Sequence, residues 1–155
     1  MKLVNYLRPE YIAIGLEAGS KDDLLDAMVD LAAKNPLVKD KEKVRAAIHE
    51  RERIMSTGVG KGFAIPHGKT DAVGDIVLAF AVLAEPMDYA SMDNEPVQLV
   101  LLLVSRDSDV GNRLKLLSRA SKVMNSDAAR SALAKAKTPQ EVMDIFTAEE
   151  ARIGE

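Results

Sequence analysis

With 155 residues, 47% of them apolar and 29% charged, the chain suits one domain with a real core. A net charge of -3, with basic residues scattered among acids, argues against a surface built to neutralise phosphate backbones, so no nucleic-acid partner is expected. Cys is absent, which excludes disulfides, zinc-thiolate sites and Cys nucleophiles.

The first residues, "MKLVNYLRPEYIAIGL", lack the layout of a secretory signal. Residues 11–16 form a weak strand candidate. Residues 20–34, "SKDDLLDAMVDLAAK", read as a helix capped by Ser20 with Asp23 three places on. Leu24, Leu25, Met28, Leu31 and Ala32 share one face, and Asn35-Pro36 stops the helix. A second helix is predicted over 41–53, with Val44, Ala47, Ile48 and Arg51 at helical spacing and His49 on its surface.

Residues 63–65 are a further weak strand candidate. The runs "IVLAFAVL" (76–83) and "VQLVLLLVS" (97–105) suit strands buried on both faces. The second is the longest apolar run, far short of the ~20 residues a spanning helix needs. A cytoplasmic protein without membrane insertion is expected. Residues 85–96 between these strands read as loop, with Asp93 as a turn former.

Three helices complete the chain. The first carries a stripe of Val110, Leu114, Leu117, Ser121 and Met124; the second starts at Ser126. The third opens on the capping box Thr138-Pro139-Gln140-Glu141, with Val142, Ile145 and Phe146 facing inward. The expected class is α/β, a mixed β-sheet flanked by helices. One domain is expected over 1–150, followed by a short tail at 151–155.

The informative segment is 56–73, "STGVGKGFAIPHGKTDAV", which holds Gly58, Gly60, Gly62, Gly68 and His67. Its run "GVGKGF" lacks the Gly-Lys-Ser/Thr ending and the spacing of a P-loop, and the segment lacks the strand–turn–helix setting of a dinucleotide fingerprint. Pro66 stiffens the approach to His67 and pushes Ile65 into an extended conformation. The imidazole should then leave the end of a short strand, with Gly68 permitting a turn after it. On spacing alone two readings stand: a pre-aimed nucleophilic ring, or a surface His beside a tight bend. A metal site is not expected, since His49 is the only other His.

The whole string "STGVGKGFAIPHGKTDAV" resembles the signature of IIA domains of the phosphoenolpyruvate-dependent phosphotransferase system, fructose/mannitol class, which includes nitrogen-regulatory IIA proteins. Arg51-Glu52, "MDYASMDNEPVQLVLLLV" (87–104) and "RLKLLSRASKVM" (113–124) are similar to further segments of that family. The resemblance implies that His67 accepts a phosphoryl group from phospho-HPr, with no cofactor of its own. It passes the group to a IIB domain in sugar transport, or uses it as a signal to a regulated protein. Arg51 would neutralise phosphoryl oxygens, with Ser56 and Thr57 as further donors.

One position departs from the family: a usual second His is replaced by Arg113. Two readings remain. In one, Arg113 stabilises the phosphoryl group and lowers the pKa of His67. In the other it is a solvated helix-start residue, and the chain is a IIA-like binding module without transfer activity. Lys61 and Lys69 either steer an anionic partner or are ordinary solvated lysines. A shallow apolar surface around His67, with Phe63 and Met87 as rim candidates, would meet the partner protein.

Overall fold

The structure, a computed structural model, describes residues 1–154. Two 3-10 turns, Leu3–Asn5 and Pro9–Tyr11, lead into β1 (Ile12–Leu16), α1 (Lys21–Ala32) and α2 (Lys41–Ile54). Then come β2 (Gly58–Gly60), β3 (Phe63–Ala64), β4 (His67–Lys69), β5 (Val77–Met87) and β6 (Val97–Ser105). The chain closes with α3 (Val110–Met124), α4 (Asp127–Lys135) and α5 (Pro139–Ile153).

Residues 77–83 of β5 and 99–104 of β6 are apolar and buried because both faces of the sheet are covered there. They pair antiparallel at the middle of a sheet ordered β1-β5-β6-β3-β2, with β4 also beside β6. β1 runs parallel to β5, and β3 and β4 run parallel to β6, so the sheet is mixed as expected. Val77, Ala79 and Ala81 of β5 join Val100, Leu102 and Val104 of β6 in a core with Leu24, Leu25, Met28, Val44 and Ile48 of α1 and α2. The alternate residues Leu78, Phe80, Leu101 and Leu103 join Leu116, Val123, Leu133, Val142 and Phe146 of α3 to α5. Burying each large apolar side chain contributes about 1.5–3 kcal/mol, which makes these two layers the main stabilising feature. Phe80 and Phe146 meet edge to face at 5.1 Å between ring centroids.

The caps form as read. The Ser20 hydroxyl accepts from Asp23 N at 3.1 Å, and that of Thr138 from Glu141 N at 3.1 Å. Glu141 in turn accepts from Lys137 N at 2.8 Å.

Four expectations change. Residues 85–87 belong to β5, because pairing with β6 resumes at Met87 opposite Val97 after an irregularity. In α3 the buried face is Leu116, Arg119, Ala120, Val123 and Met124, whereas Val110 and Leu114 are 49% and 59% exposed. The buried row packs into the core through Leu116, Ala120 and Val123, and Arg119 on the same side pairs at 2.9 Å with the fully buried carboxylate of Glu150. Glu150 also accepts from Leu3 N and Val4 N, tying the chain's start to α5. α5 itself continues to Ile153, so residues 151–153 are helix rather than tail; Glu155 lies outside the described residues. Finally, His49 is not free helix surface: its Nε2 lies 2.7 Å from Asp26 Oδ1, linking α2 to α1.

Candidate functional site

The glycine-spaced run folds as a small hairpin at the sheet edge. β2 and β3 pair antiparallel, with Lys61 (φ 59°) and Gly62 (φ 80°) at the turn. Asp93 holds that turn, accepting from Lys61 N at 2.9 Å as well as from Glu95 N of its own turn at 3.0 Å. The segment then continues along the same neighbour: β3 pairs with Leu99 and Val100, and β4 with Leu103 to Ser105. Between them Pro66, which has no N–H to offer, accepts from Leu103 N at 3.0 Å.

His67 therefore opens a strand instead of ending one, and Gly68 lies within β4 rather than in a turn. A Cβ at Gly68 would sit 3.2 Å from the carbonyl carbon and oxygen of Ala47. The glycine lets α2 press directly on β4 beside the imidazole.

The His67 ring is held by one nitrogen. Nδ1 lies 2.8 Å from the carbonyl oxygen of Ile65. A carbonyl only accepts, so Nδ1 carries the proton and Nε2 keeps its lone pair. Nε2 has no hydrogen-bond partner among the described residues. Burial is the main influence pushing the imidazole below its ordinary pKa. The hydrogen bond to Ile65 and the charge of Glu52 oppose that shift, and the charges of Arg51 and Arg113 reinforce it.

On one side of the ring lies a cleft of about 300 Å³ lined by Arg51, Lys69, Arg113, Glu50 and Ile54 with His67. Three cations face one carboxylate there, which favours an anionic visitor. Both guanidiniums are anchored. Arg51 Nη1 donates to Met55 O at 2.9 Å, while Arg113 Nη1 donates to Ser105 Oγ at 2.6 Å and to Arg106 O at 3.3 Å.

A second recess on the other side is lined by Ser56, Thr57, Val59, Leu117 and Ser121 with His67. Two α3 residues of the stripe read from the sequence, Leu117 and Ser121, thus border the imidazole. Phe63 is 1% exposed in the core and Met87 packs against the α1/α2 layer, so neither forms the rim. Exposed apolar side chains lining the two recesses are Ile54 and Val59.

The sequence-predicted residues His67, Arg51 and Arg113 meet in the cleft, whereas Ser56 and Thr57 border the second recess. The Ser56 hydroxyl donates to Tyr89 O at 3.3 Å and accepts from Gly58 N at 3.1 Å. Thr57 has both donors engaged with Glu52, through its N–H at 2.8 Å and its hydroxyl. Glu52, with Lys21 and Tyr89 around it, was missed by sequence reasoning. The signal was a carboxylate at i+4 from Ile48, on the buried row of α2. Among the described residues no cluster of His, Cys, Asp or Glu is arranged to hold a metal ion, and no helix is long and apolar enough to cross a membrane.

Fold and cleft together define a domain suited to holding an anionic group against a histidine. The chain belongs to the family described as "Phosphoenolpyruvate-dependent sugar phosphotransferase system, EIIA 2", whose model matches residues 5–149. It is 32% identical over 146 residues to the fructose-specific EIIABC component of Bacillus subtilis, covering 94% of this chain but 23% of that protein. It is 31% identical over 147 residues to a nitrogen regulatory protein of Bradyrhizobium diazoefficiens, covering 94% of this chain and 95% of that one. Its fold matches the crystal structure of nitrogen regulatory protein IIA-Ntr from Neisseria meningitidis with a TM-score of 0.86 and 28% identity, over 93% and 98% of the two chains. The resemblance read from the glycine segment is borne out, and relatives carry both fructose-specific phosphotransferase-system and nitrogen-regulatory names.

Proposed function

We propose that this EIIA-type domain is a phosphohistidine carrier that loads at Nε2 of His67. The observation that carries this reading is the ring's asymmetry: Nδ1–H is spent on Ile65 O, and Nε2 is unpartnered beside two anchored guanidiniums.

The donor is a phosphohistidine protein of the HPr type. The Nε2 lone pair attacks phosphorus as the donor's P–N bond breaks, and the bonding pair returns to the donor imidazole. The proton on His67 Nδ1 stays in place throughout, and its hydrogen bond to the carbonyl supports the positive charge the ring acquires. Arg51 and Arg113 neutralise the equatorial phosphoryl oxygens, where one such preorganised donor is worth about 10²–10³-fold in rate. Discharge is the reverse displacement, by the nucleophile of a IIB domain, or the loaded state is read by a regulated protein. On this reading the chain works in the cytoplasm and needs no cofactor, since the phosphoryl group arrives on a protein.

Arg113 on this reading takes the place of a titratable histidine with a permanent charge. Its hold on Ser105, itself fully buried, supports a fixed role over a solvated one. Ser56 and Thr57 are weaker candidates as phosphoryl donors, because their hydroxyls already donate within the protein.

The test mixes the protein with phosphoenolpyruvate, enzyme I and HPr and looks for an acid-labile adduct by intact mass. An adduct in the wild type that is lost in His67→Ala supports the carrier. No adduct supports a binding module that has kept the fold without the chemistry.

A further inference from the structure

Glu52 is a charged residue where an apolar one would cost less. It sits on the buried row of α2 below Val44 and Ile48 and is 8% exposed. A buried carboxylate is tolerated only when its lone pairs are used. Here four donors converge on it: Lys21 Nζ at 2.7 Å, Thr57 N at 2.8 Å, the Thr57 hydroxyl, and Tyr89 OH at 3.1 Å. Burial would push its carboxyl up, but the hydrogen bonds from Lys21 and Thr57 and the Lys21 charge hold it below the usual carboxylate range. Burial, the main influence on Tyr89, raises its phenol pKa, so the hydroxyl keeps the proton it donates.

The hydrogen bonds continue beyond Thr57. Its carbonyl accepts from Ile65 N at 3.0 Å, and the Ile65 carbonyl accepts from His67 Nδ1 at 2.8 Å. Every polar backbone group along this path is committed, and Pro66 restricts Ile65 to an extended conformation. A carboxylate on α2 is thereby connected to the imidazole through one threonine and one isoleucine.

We propose that Glu52 is a positioning residue for His67, acting through the chain Glu52–Thr57–Ile65–His67 to fix the Ile65 carbonyl and so the ring tautomer that leaves Nε2 free. The inference rests on the carrier reading for its functional consequence, but not for its structural one. Glu52 touches no reacting atom. It determines which ring nitrogen is the nucleophile and where that nitrogen points.

Glu52→Gln places an amide NH₂ among donors, so Lys21 or Thr57 N–H loses its acceptor. Thr57→Val removes only the hydroxyl arm, and Thr57→Ser keeps it. Long-range ¹H–¹⁵N spectra should show the His67 proton on Nδ1 in the wild type and Thr57→Ser, and a mixture of both tautomers in Glu52→Gln and Thr57→Val. Phosphoryl uptake from phospho-HPr should lose about 10-fold in kcat in the latter two, as for other residues that orient a functional imidazole, with KM for the donor protein unchanged. Should Glu52→Gln fail to fold by circular dichroism, Thr57→Val carries the test. A wild-type tautomer in the folded variants overturns the proposal, even if their rates fall. If the wild type takes up no phosphoryl group, the carrier reading fails, while the tautomer comparison still decides the role of Glu52.

Discussion

Nδ1 of His67 and the carbonyl oxygen of Ile65 lie 2.8 Å apart, across a proline that has no N–H. This contact ties the chemistry of the ring to the backbone geometry of the Ala64-Ile65-Pro66 corner. It requires the proton on Nδ1 and leaves the lone pair on Nε2.

The pH dependence follows from the surroundings of His67. Burial, reinforced by Arg51 and Arg113, outweighs the hydrogen bond to Ile65 and the charge of Glu52, so the folded pKa lies below the ordinary imidazole value of about 6.5. On the carrier reading the nucleophile is the neutral ring, so uptake should hold as pH falls through that value, declining only below the depressed pKa. The stability contribution has the same sign. In the window between the folded and unfolded pKa values the unfolded state binds more protons, so the neutral ring's contribution is present above the unfolded pKa and lost as pH falls through the folded one. An NMR titration of His67 giving a pKa at or above the ordinary value would contradict this.

Arg113 supplies fixed charge to the cleft. Arg113→Ala should raise the His67 pKa and slow phosphoryl uptake by about 10²-fold, with little change in melting temperature. Ser105→Ala should produce a smaller version of both effects by releasing the guanidinium. Unchanged titration and rate in Arg113→Ala would return this residue to the solvated surface.

Gly68→Ala tests the contact between α2 and β4. The added Cβ would lie 3.2 Å from the Ala47 backbone, so the helix has to move. A loss of about 1–3 kcal/mol in stability is expected from overpacking of this kind. Uptake should slow as well, because α2 carries Arg51. A fully stable, fully active variant would show that the approach at Ala47 has slack.

Leu114 lies between Arg113 and Leu117 on α3 and is 59% exposed. As an exposed apolar side chain next in sequence to Arg113 of the cleft, it should meet the donor protein. Leu114→Asp is expected to raise KM for phospho-HPr several-fold, leaving kcat and melting temperature unchanged. An unchanged KM removes this side chain from the contact.

Much of the fold was readable from local signals that tertiary packing reinforces. Ser20 and Thr138 cap as their spacing suggests, and the apolar runs of β5 and β6 reflect burial on both faces. The face of α3 was misread because Leu116, Ala120 and Val123 form an apolar row as good as Val110, Leu114 and Leu117. The buried side also carries Arg119, whose partner Glu150 lies 31 residues further along the chain. His67 and Arg51, singled out through the family resemblance, and Arg113, singled out as a departure from it, line one cleft. The network around Glu52 was not singled out, since it joins residues from α1, α2 and the loop after β5. Gly68 was read as a turn residue because sequence does not reveal what lies across a strand; here it is the backbone of Ala47.

The most direct test of the central claim is the site of phosphorylation itself. The chain is incubated with phosphoenolpyruvate, enzyme I and ¹⁵N-free HPr, then its own ¹⁵N-labelled His67 ring is observed by ¹⁵N and ³¹P NMR. The account predicts a single adduct with the phosphoryl group on Nε2 and the proton retained on Nδ1. An adduct on Nδ1, on His49, or on no histidine at all would contradict it.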